Sequence, residues 1–413
     1  MAYVFIWWIV VEILGLAALP LAWRLFHNLP DRGYALAKPL GILLTGYLFW
    51  LAVSFGLLAN TRTAIILVIL LVAGGSTLLY FKFPDAKASA MTSRAFRLGP
   101  VVISSELIFA VAFGLWALVR AYNPQISATE KPMEFAFLNA ILRSENFPPL
   151  DPWLSGFAIS YYYFGYVMMA MLTKLSGVPS EVAFNLGIAL LFALTASGAF
   201  SLTYNLVAGR GESEEKKQGV ATIFGALGAA FVAVVGNLEG VLEVMHTRGL
   251  GSASFWEWID VKNLAAAPVS GSWIPSDSWW WWRASRVVHD VILGQDVEVI
   301  DEFPFFSFLL GDMHPHVLAL PFVLLALGLA LNLLWSKREA RWWEMVLLGV
   351  SIGGLGFLNS WDLPTYLLIC LVAYALASYR RLEAFGRRWA TEVGFFALVL
   401  VTLSFILYLP FYL

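Results

Sequence analysis

The chain carries ten apolar stretches of about membrane-span length, at about 3–25, 39–58, 63–81, 101–121, 182–208, 220–242, 316–335, 342–358, 363–378 and 393–413. A bilayer core of about 30 Å takes a helix of about 20 apolar residues. Lipid offers no partner to a free backbone N–H or C=O, so stretches of this length read as helices. Composition agrees. Of 413 residues, 60% are hydrophobic and 13% charged, with a mean hydropathy of +0.75. A soluble domain of this size cannot hide that much apolar surface. The expected fold class is an all-α polytopic membrane protein with about ten transmembrane helices and additional juxtamembrane helices. The first stretch lacks a basic start and an Ala-x-Ala cleavage site and reads as a retained span. The last reaches Leu413 without a polar tail, and the expectation is the front part of a longer protein.

Several function classes fall away. The formal net charge of −2 argues against a nucleic-acid partner, which needs a basic patch. The single cysteine, Cys370, leaves no disulfide framework and no thiol metal site. There is neither a G-x-x-x-x-G-K-[ST] phosphate loop nor a G-x-S-x-G nucleophile elbow.

One segment decides the topology. "SGFAISYYYFGY", residues 155–166, opens an apolar run that continues to Leu175. If 156–175 lies along the membrane, one face collects 17 Lys and Arg and the other 9; if it crosses, the split is 12 against 14. Cytoplasmic loops carry the excess of basic residues, so the first arrangement keeps the rule. The segment is therefore expected to be a juxtamembrane helix on the outer face of the plasma membrane, a depth that suits tyrosine. An ordinary span with an aromatic belt stays open as the alternative. The N-terminus is then outside, and the inner loops are short and basic. The expected organisation is a three-span region over 1–100 and a membrane module over 101–413 with long outer loops at 122–181 and 243–315.

Acidic residues concentrate in those loops. In "ATEKPMEFAFLNAILRSENFPPLDPWLSG", residues 128–156, Lys131-Pro132 predicts a helix start with Glu134 in its first turn. Phe135, Leu138, Ile141 and Leu142 form an interfacial stripe. Glu130 and Glu134, four apart, are candidates for a general base or a metal ligand; simple capping of the helix by acids explains them equally. In "DEFPFFSFLLGDMHPHVLALPF", residues 301–322, Gly311, Pro315 and Pro321 predict a broken start to a span, with a re-entrant piece at 304–310. Irregular backbone at that depth needs a wet cavity or protein around it. Glu302, Asp312, His314 and His316 are candidate contacts to a divalent metal or a phosphate. In "SWWWWRASRVV", residues 278–288, tryptophans followed by Arg283 and Arg286 suit a lipid phosphate or ordinary headgroup anchoring. "GFLNSWDLPTY", residues 356–366, adds Asp362 at an outer turn, and "GNLEG", residues 236–240, adds Glu239 as a weaker candidate. Asp151, Tyr161, Tyr162 and Tyr163 join the candidate substrate contacts.

The stretches "EKPMEFAFLNAILRSENFPPLDPWLSGFAISYYYFGY", "EFPFFSFLLGDMHPHVLALPF" and "NSWDLPTY" resemble the YYY-type membrane protein family of unknown function, of Chloroflexi/archaeal type, from about residue 100 to the end. The family commonly has Asp where this chain has Glu134. The layout is also similar to GT-C glycosyltransferases such as protein mannosyltransferases and aminoarabinose transferases. That second resemblance implies a lipid-linked sugar donor, a polyprenyl phosphate, entering from the membrane lipid. It gives Glu130 or Glu134 the role of the loop acid and makes Arg283 and Arg286 phosphate contacts. It implies stabilisation of the departing phosphate by Arg, His or a divalent metal, and inversion at the anomeric carbon. The competing expectations are a lipid or glycan transporter or flippase, which favours charges in the middle of spans, and a structural subunit working with additional membrane subunits.

Overall fold

A computed structural model describes residues 1–83, 91–209, 215–275 and 280–413. Lys87 and Arg210 of the charge tally, together with Asp277, Ser278 and Trp279, lie outside the described residues. The described residues are all-α apart from one small hairpin. Among the described residues nine helices are long and apolar enough to cross a membrane, and Trp342–Leu358, with 17 residues, is a shorter apolar one. The described residues divide into two compact units, one made of 1–229 and 312–413 and the other of 230–311.

In the first unit the long helices are α1 (Ala2–Leu25), α2 (Ala37–Ser54), α3 (Arg62–Lys82), α4 (Met91–Tyr122), α7 (Ser180–Ala208), α8 (Glu215–Ala230), α13 (Pro315–Leu334), α14 (Trp342–Leu358), α15 (Asp362–Leu382) and α16 (Arg387–Ile406). Two short helices, α5 (Lys131–Arg143) and α6 (Phe164–Ser176), stand between α4 and α7. Small residues let the helices touch, as is usual where lipid supplies no hydrophobic drive. A side chain at Gly41 would collide with the Leu14 carbonyl, so α1 and α2 meet backbone to backbone.

Hydrogen bonds between helix ends sort them into two sets. In one set Arg24 Nε donates to the Tyr80 carbonyl at 2.9 Å, Asn28 donates two bonds to Asn332, and buried Asp31 is held by Ser201 and Asn205. In the other set Asn60 donates to the carbonyls of Ile141 and Ser144, and Asn185 donates to the carbonyl of Pro124. Both ends of α6 join that second set. At its start the Tyr162 hydroxyl bonds that of Ser360, in the α14–α15 turn, and Trp50 donates to the Tyr163 hydroxyl. At its end Lys174 donates to the Asn60 carbonyl and Arg62 to the Leu175 carbonyl. At about 1.5 Å per residue, 13 residues span roughly 20 Å, short of a bilayer crossing.

Four sequence expectations change. The helix begins at Phe164, after the tyrosine triplet: Tyr163 is its N-cap, with its carbonyl accepting the Val167 amide, and the Tyr162 and Tyr163 hydroxyls meet Ser360 and Trp50. It is buried among the long helices rather than laid on a surface: all but Lys174 and Ser176 are buried. The expected span at 220–242 ends earlier, through a π-helical turn at Phe231–Val235 and a left-handed Gly236 (φ 60°). The last span runs Arg387–Ile406, earlier than the expected 393–413, and is followed by the separate short helix α17 (Leu409–Tyr412).

The second unit holds α9 (Glu239–Thr247), α10 (Ala253–Ile259), α11 (Trp280–Arg283), β1 (His289–Ile292), β2 (Gln295–Glu298) and α12 (Pro304–Leu310). Trp256, Val261 and Leu264 form its core, with Leu242, Met245 and Phe255 packed against them. β1 and β2 pair antiparallel, His289 opposite Glu298 and Ile292 opposite Gln295. Leu293 and Gly294 both have positive φ, the geometry of the two-residue hairpin turn whose twist matches its strands. The helix at Pro304–Leu310 falls where the sequence predicts a separate short piece.

Candidate functional site

Helix α5 sets up the site. Glu130 is its N-cap, and its carbonyl accepts the amides of Met133 and Glu134. Pro132 supplies the fixed φ that a first turn takes without loss. Phe137, Leu138 and Ile141 are buried and hold the helix against the unit. Phe137, off the predicted stripe, touches the rings of Trp153, Tyr161 and Tyr166.

This places Glu134 at the break before α13, where the amide of Met313 donates to its Oε2 at 2.6 Å. Glu134 is fully buried and its Oε1 meets no hydrogen-bond partner. Burial first, and the Asp312 charge second, push its carboxyl up to about 9. It is therefore a neutral acid at pH 7, able to donate as well as accept. The Tyr166 hydroxyl, also buried and without a partner, faces the same charges.

Asp312 is the ionic neighbour. The Thr129 hydroxyl donates to its Oδ1 at 2.8 Å, and the Lys131 ammonium is 3.9 Å from the same oxygen. Thr129 reaches it from a left-handed backbone (φ 50°). Burial pushes the Lys131 ammonium down, partly offset by Asp312. Arg120, at the end of α4, gives its Nε to Asn185 and lies within electrostatic reach of Asp312.

Beyond Asp312 the two histidines join Glu130. His314 Nε2 is 3.1 Å from Glu130 Oε2, and the Nδ1 atoms of His314 and His316 are 2.8 Å apart. Two nitrogens at that distance require one proton between them. With a proton on His314 Nε2 facing Glu130 and His314 neutral, His314 Nδ1 accepts and His316 Nδ1 donates. The result is a hydrogen-bonded chain from a half-exposed carboxylate through two imidazoles. Asp362 is within electrostatic reach of His316 and bonds Asn359 at 3.1 Å.

The sequence candidates thus separate. Glu130, Glu134, Asp312, His314 and His316 form one cluster, with Tyr161 beside it; Glu130 and Glu134 add to the burial that pushes the Tyr161 phenol up to about 12. Asp151 caps the amides of Trp153 and Leu154. Tyr162 and Tyr163 tie the start of α6 to neighbouring elements. In the second unit Glu302 accepts from the Ser307 hydroxyl. Arg283 forks onto Glu243 at 2.5 and 3.1 Å, while Arg286 stacks over Trp282 and bonds Ser285. The predicted cationic surface patch is therefore corrected: both guanidinia are buried and face protein groups. Lys131 is legible in the sequence only as part of a helix start, and Thr129 and the Met313 amide carry no signal of their own, though both adjoin residues that do.

Among the described residues no group of three or more His, Cys, Asp or Glu is placed to hold a metal ion. The cluster does offer a phosphate-sized anion the Lys131 ammonium. The family model described as "Uncharacterized membrane protein (DUF2298)" matches residues 44–413. No curated protein and no solved structure matches.

Proposed function

Since the chain belongs to this family of uncharacterized membrane proteins, whose description carries no chemistry, we propose a function from the site: a membrane glycosyltransferase using a polyprenyl-phosphate sugar donor. The observation that supports it is the Glu130–His314–His316 chain beside a neutral Glu134 and a lysine. Sugar transfer needs a base for an acceptor hydroxyl and positive charge for the departing phosphate. In this reading Glu130, oriented by His314, takes the acceptor proton as the acceptor oxygen bonds the anomeric carbon. The bond from that carbon to the phosphate oxygen breaks, and its electron pair leaves on polyprenyl phosphate, met by Lys131. Glu134, already protonated, positions the Met313 backbone and donates a hydrogen bond. It is unsuited to the role of base. The active face is extracytoplasmic, the side given by the basic-residue count.

The test uses the chain reconstituted in liposomes with polyprenyl-phosphoryl mannose and, separately, polyprenyl-phosphoryl glucose. Release of polyprenyl phosphate is measured in the presence of candidate acceptor alcohols. Glu130→Gln is expected to cost at least about 100-fold, the usual worth of a general base, and Glu134→Gln far less. Unchanged release by Glu130→Gln would remove the assignment.

A transporter is the second reading, and one observation favours it. Charges are not confined to the helix-end cluster: Lys38 at the start of α2 bonds Glu106 of α4 at 2.5 Å and lies 3.2 Å from Glu12, midway along α1. Ionisable groups inside spans commonly mark ion pathways. Proton uptake by liposomes that is lost in Glu12→Gln would favour this reading over sugar transfer.

A further inference from the structure

Helix α3 carries its last turn to the edge of the bilayer. Its 21 residues rise about 31 Å at about 1.5 Å each, close to the thickness of a hydrocarbon core. Lys82 and Phe83 therefore reach headgroup depth. They belong to the helix ends tied by Arg24–Tyr80 and Asn28–Asn332, not to those that carry the Glu130–His314 cluster. The start of α14 meets α3 there. The Trp343 ring stacks on Phe83, with centroids 5.7 Å apart and planes 25° apart. Its neighbour Trp342 is 66% exposed, as tryptophan commonly is at a membrane boundary.

Two cations share the Phe83 ring. The Arg341 guanidinium lies 5.4 Å from its centre and the Lys82 ammonium 5.9 Å. A ring face is a weak counter-charge at a solvent-accessible site, and two like charges gathered at one ring repel each other. A carboxylate would be the ordinary partner. Glu344, three positions beyond Arg341, is already taken: Arg338 forks onto both its oxygens, and the Arg341 amide also donates to Oε2. Among the described residues neither Lys82 nor the Arg341 guanidinium has a carboxylate partner. Both remain open to a ligand, Lys82 exposed and Arg341 half-buried. An apolar track adjoins them. Leu71 and Leu78 precede Lys82 by eleven and four positions, spacings that share one helical face, and they are 62% and 65% exposed.

From this geometry we infer that the end of α3 and the start of α14 bind an anionic phospholipid, its phosphodiester between Lys82 and Arg341 and its acyl chains along Leu78 and Leu71. The phosphate supplies the negative charge that the two cations lack, and the guanidinium suits its oxygens. A zwitterionic lipid brings a cation of its own to a place that already holds two. A free phosphate has nothing to lay on the leucine face. The inference does not rest on sugar transfer and uses none of the residues assigned to it.

Native mass spectrometry of the full chain in detergent, with equimolar dioleoyl phosphatidylglycerol and dioleoyl phosphatidylcholine, tests it. The first bound lipid should be phosphatidylglycerol by at least about ten-fold, each cation near an anionic headgroup being worth about five-fold. Lys82→Gln/Arg341→Gln should erase most of that preference. Arg380→Gln/Arg388→Gln removes two exposed cations from the end of α15 and the start of α16 and should leave it unchanged. In the wild-type chain, which needs no variant to fold, a phosphatidylglycerol with a diazirine in its acyl chain should label peptides covering 71–83 and 341–345. Excess glycerol phosphate, a head without chains, should not displace it. Equal retention of the two lipids by the wild-type chain, equal losses in the two double variants, label confined to other peptides, or displacement by glycerol phosphate would each overturn the inference.

Discussion

Two buried glutamates, one in each unit, show how similar burial is handled in different ways. Glu134 keeps one oxygen on the Met313 amide and sits beside a mixed set of ionisable groups: Asp312, Lys131, His314 and Glu130. Glu239 has no protein donor on either oxygen, and only its neighbour Glu243 is anchored, by the fork of Arg283. Both carboxyls are pushed up, chiefly by burial. The difference lies in what surrounds them. A hydrogen-bonded acid beside half-exposed ionisable groups has partners for its carboxyl, whereas an acid without protein donors beside another carboxyl has none. Desolvation alone does not tell the two apart; their hydrogen-bond partners do.

The comparison is easiest to break at Arg283. Removing one partner of a buried ion pair strands the other, at about 3–5 kcal/mol. Arg283→Met should therefore be more destabilising than a change at either glutamate, seen as a drop in thermal midpoint in detergent. A Glu243→Gln/Arg283→Met double variant that recovers most of the loss would show that the stranded Glu243 charge was the cause. A smaller contrast follows at the two glutamates. Glu134→Leu leaves the Met313 amide without an acceptor and should cost about 1–3 kcal/mol. Glu239→Leu removes a buried carboxyl whose oxygens meet no protein donor and should cost less than Glu134→Leu. Equal losses in the two variants would erase the distinction.

The pH dependence gives the sharpest sign. A carboxyl raised from its usual 4.5 to about 9 for Glu134, or about 8 for Glu239, holds a proton in the folded chain that the unfolded chain has released. The folded state binds more protons across that window, so stability falls as pH rises from about 4.5, by at most about 1.4 kcal/mol per pH unit for each group. Glu134→Gln should flatten the curve up to about pH 9 and Glu239→Gln only up to about pH 8. Melting curves recorded from pH 5 to 9.5 check both.

Much of the first unit was legible because hydrophobic length is a local signal. The helices at Ala2–Leu25, Arg62–Lys82 and Trp342–Leu358 fall where apolar runs put them. Lys131-Pro132 announced α5, and Pro315 announced α13. Partners across the sequence were not legible. Glu134 and Met313 are 179 positions apart and Glu243 and Arg283 are 40 apart; no periodicity joins them. The Trp-Arg run looked like a headgroup patch because Glu243, which neutralises Arg283 from within the unit, belongs to a different stretch. Lys38, Glu12 and Glu106 gave no signal because each is a single charge in an otherwise apolar run, and their meaning lies in their meeting. The hairpin around Leu293-Gly294 was hidden because its four-residue strands are too short for alternation to stand out.

Helix α6 has a mechanical consequence. It is clamped at one end to the α2–α3 corner by Lys174 and Arg62, and at the other to the α14–α15 corner and α2 by Tyr162 and Tyr163. It works as a strut across the rim of the bundle. Any breathing that moved those two corners apart would have to snap a clamp first, so motion at the rim is cheapest where no strut lies.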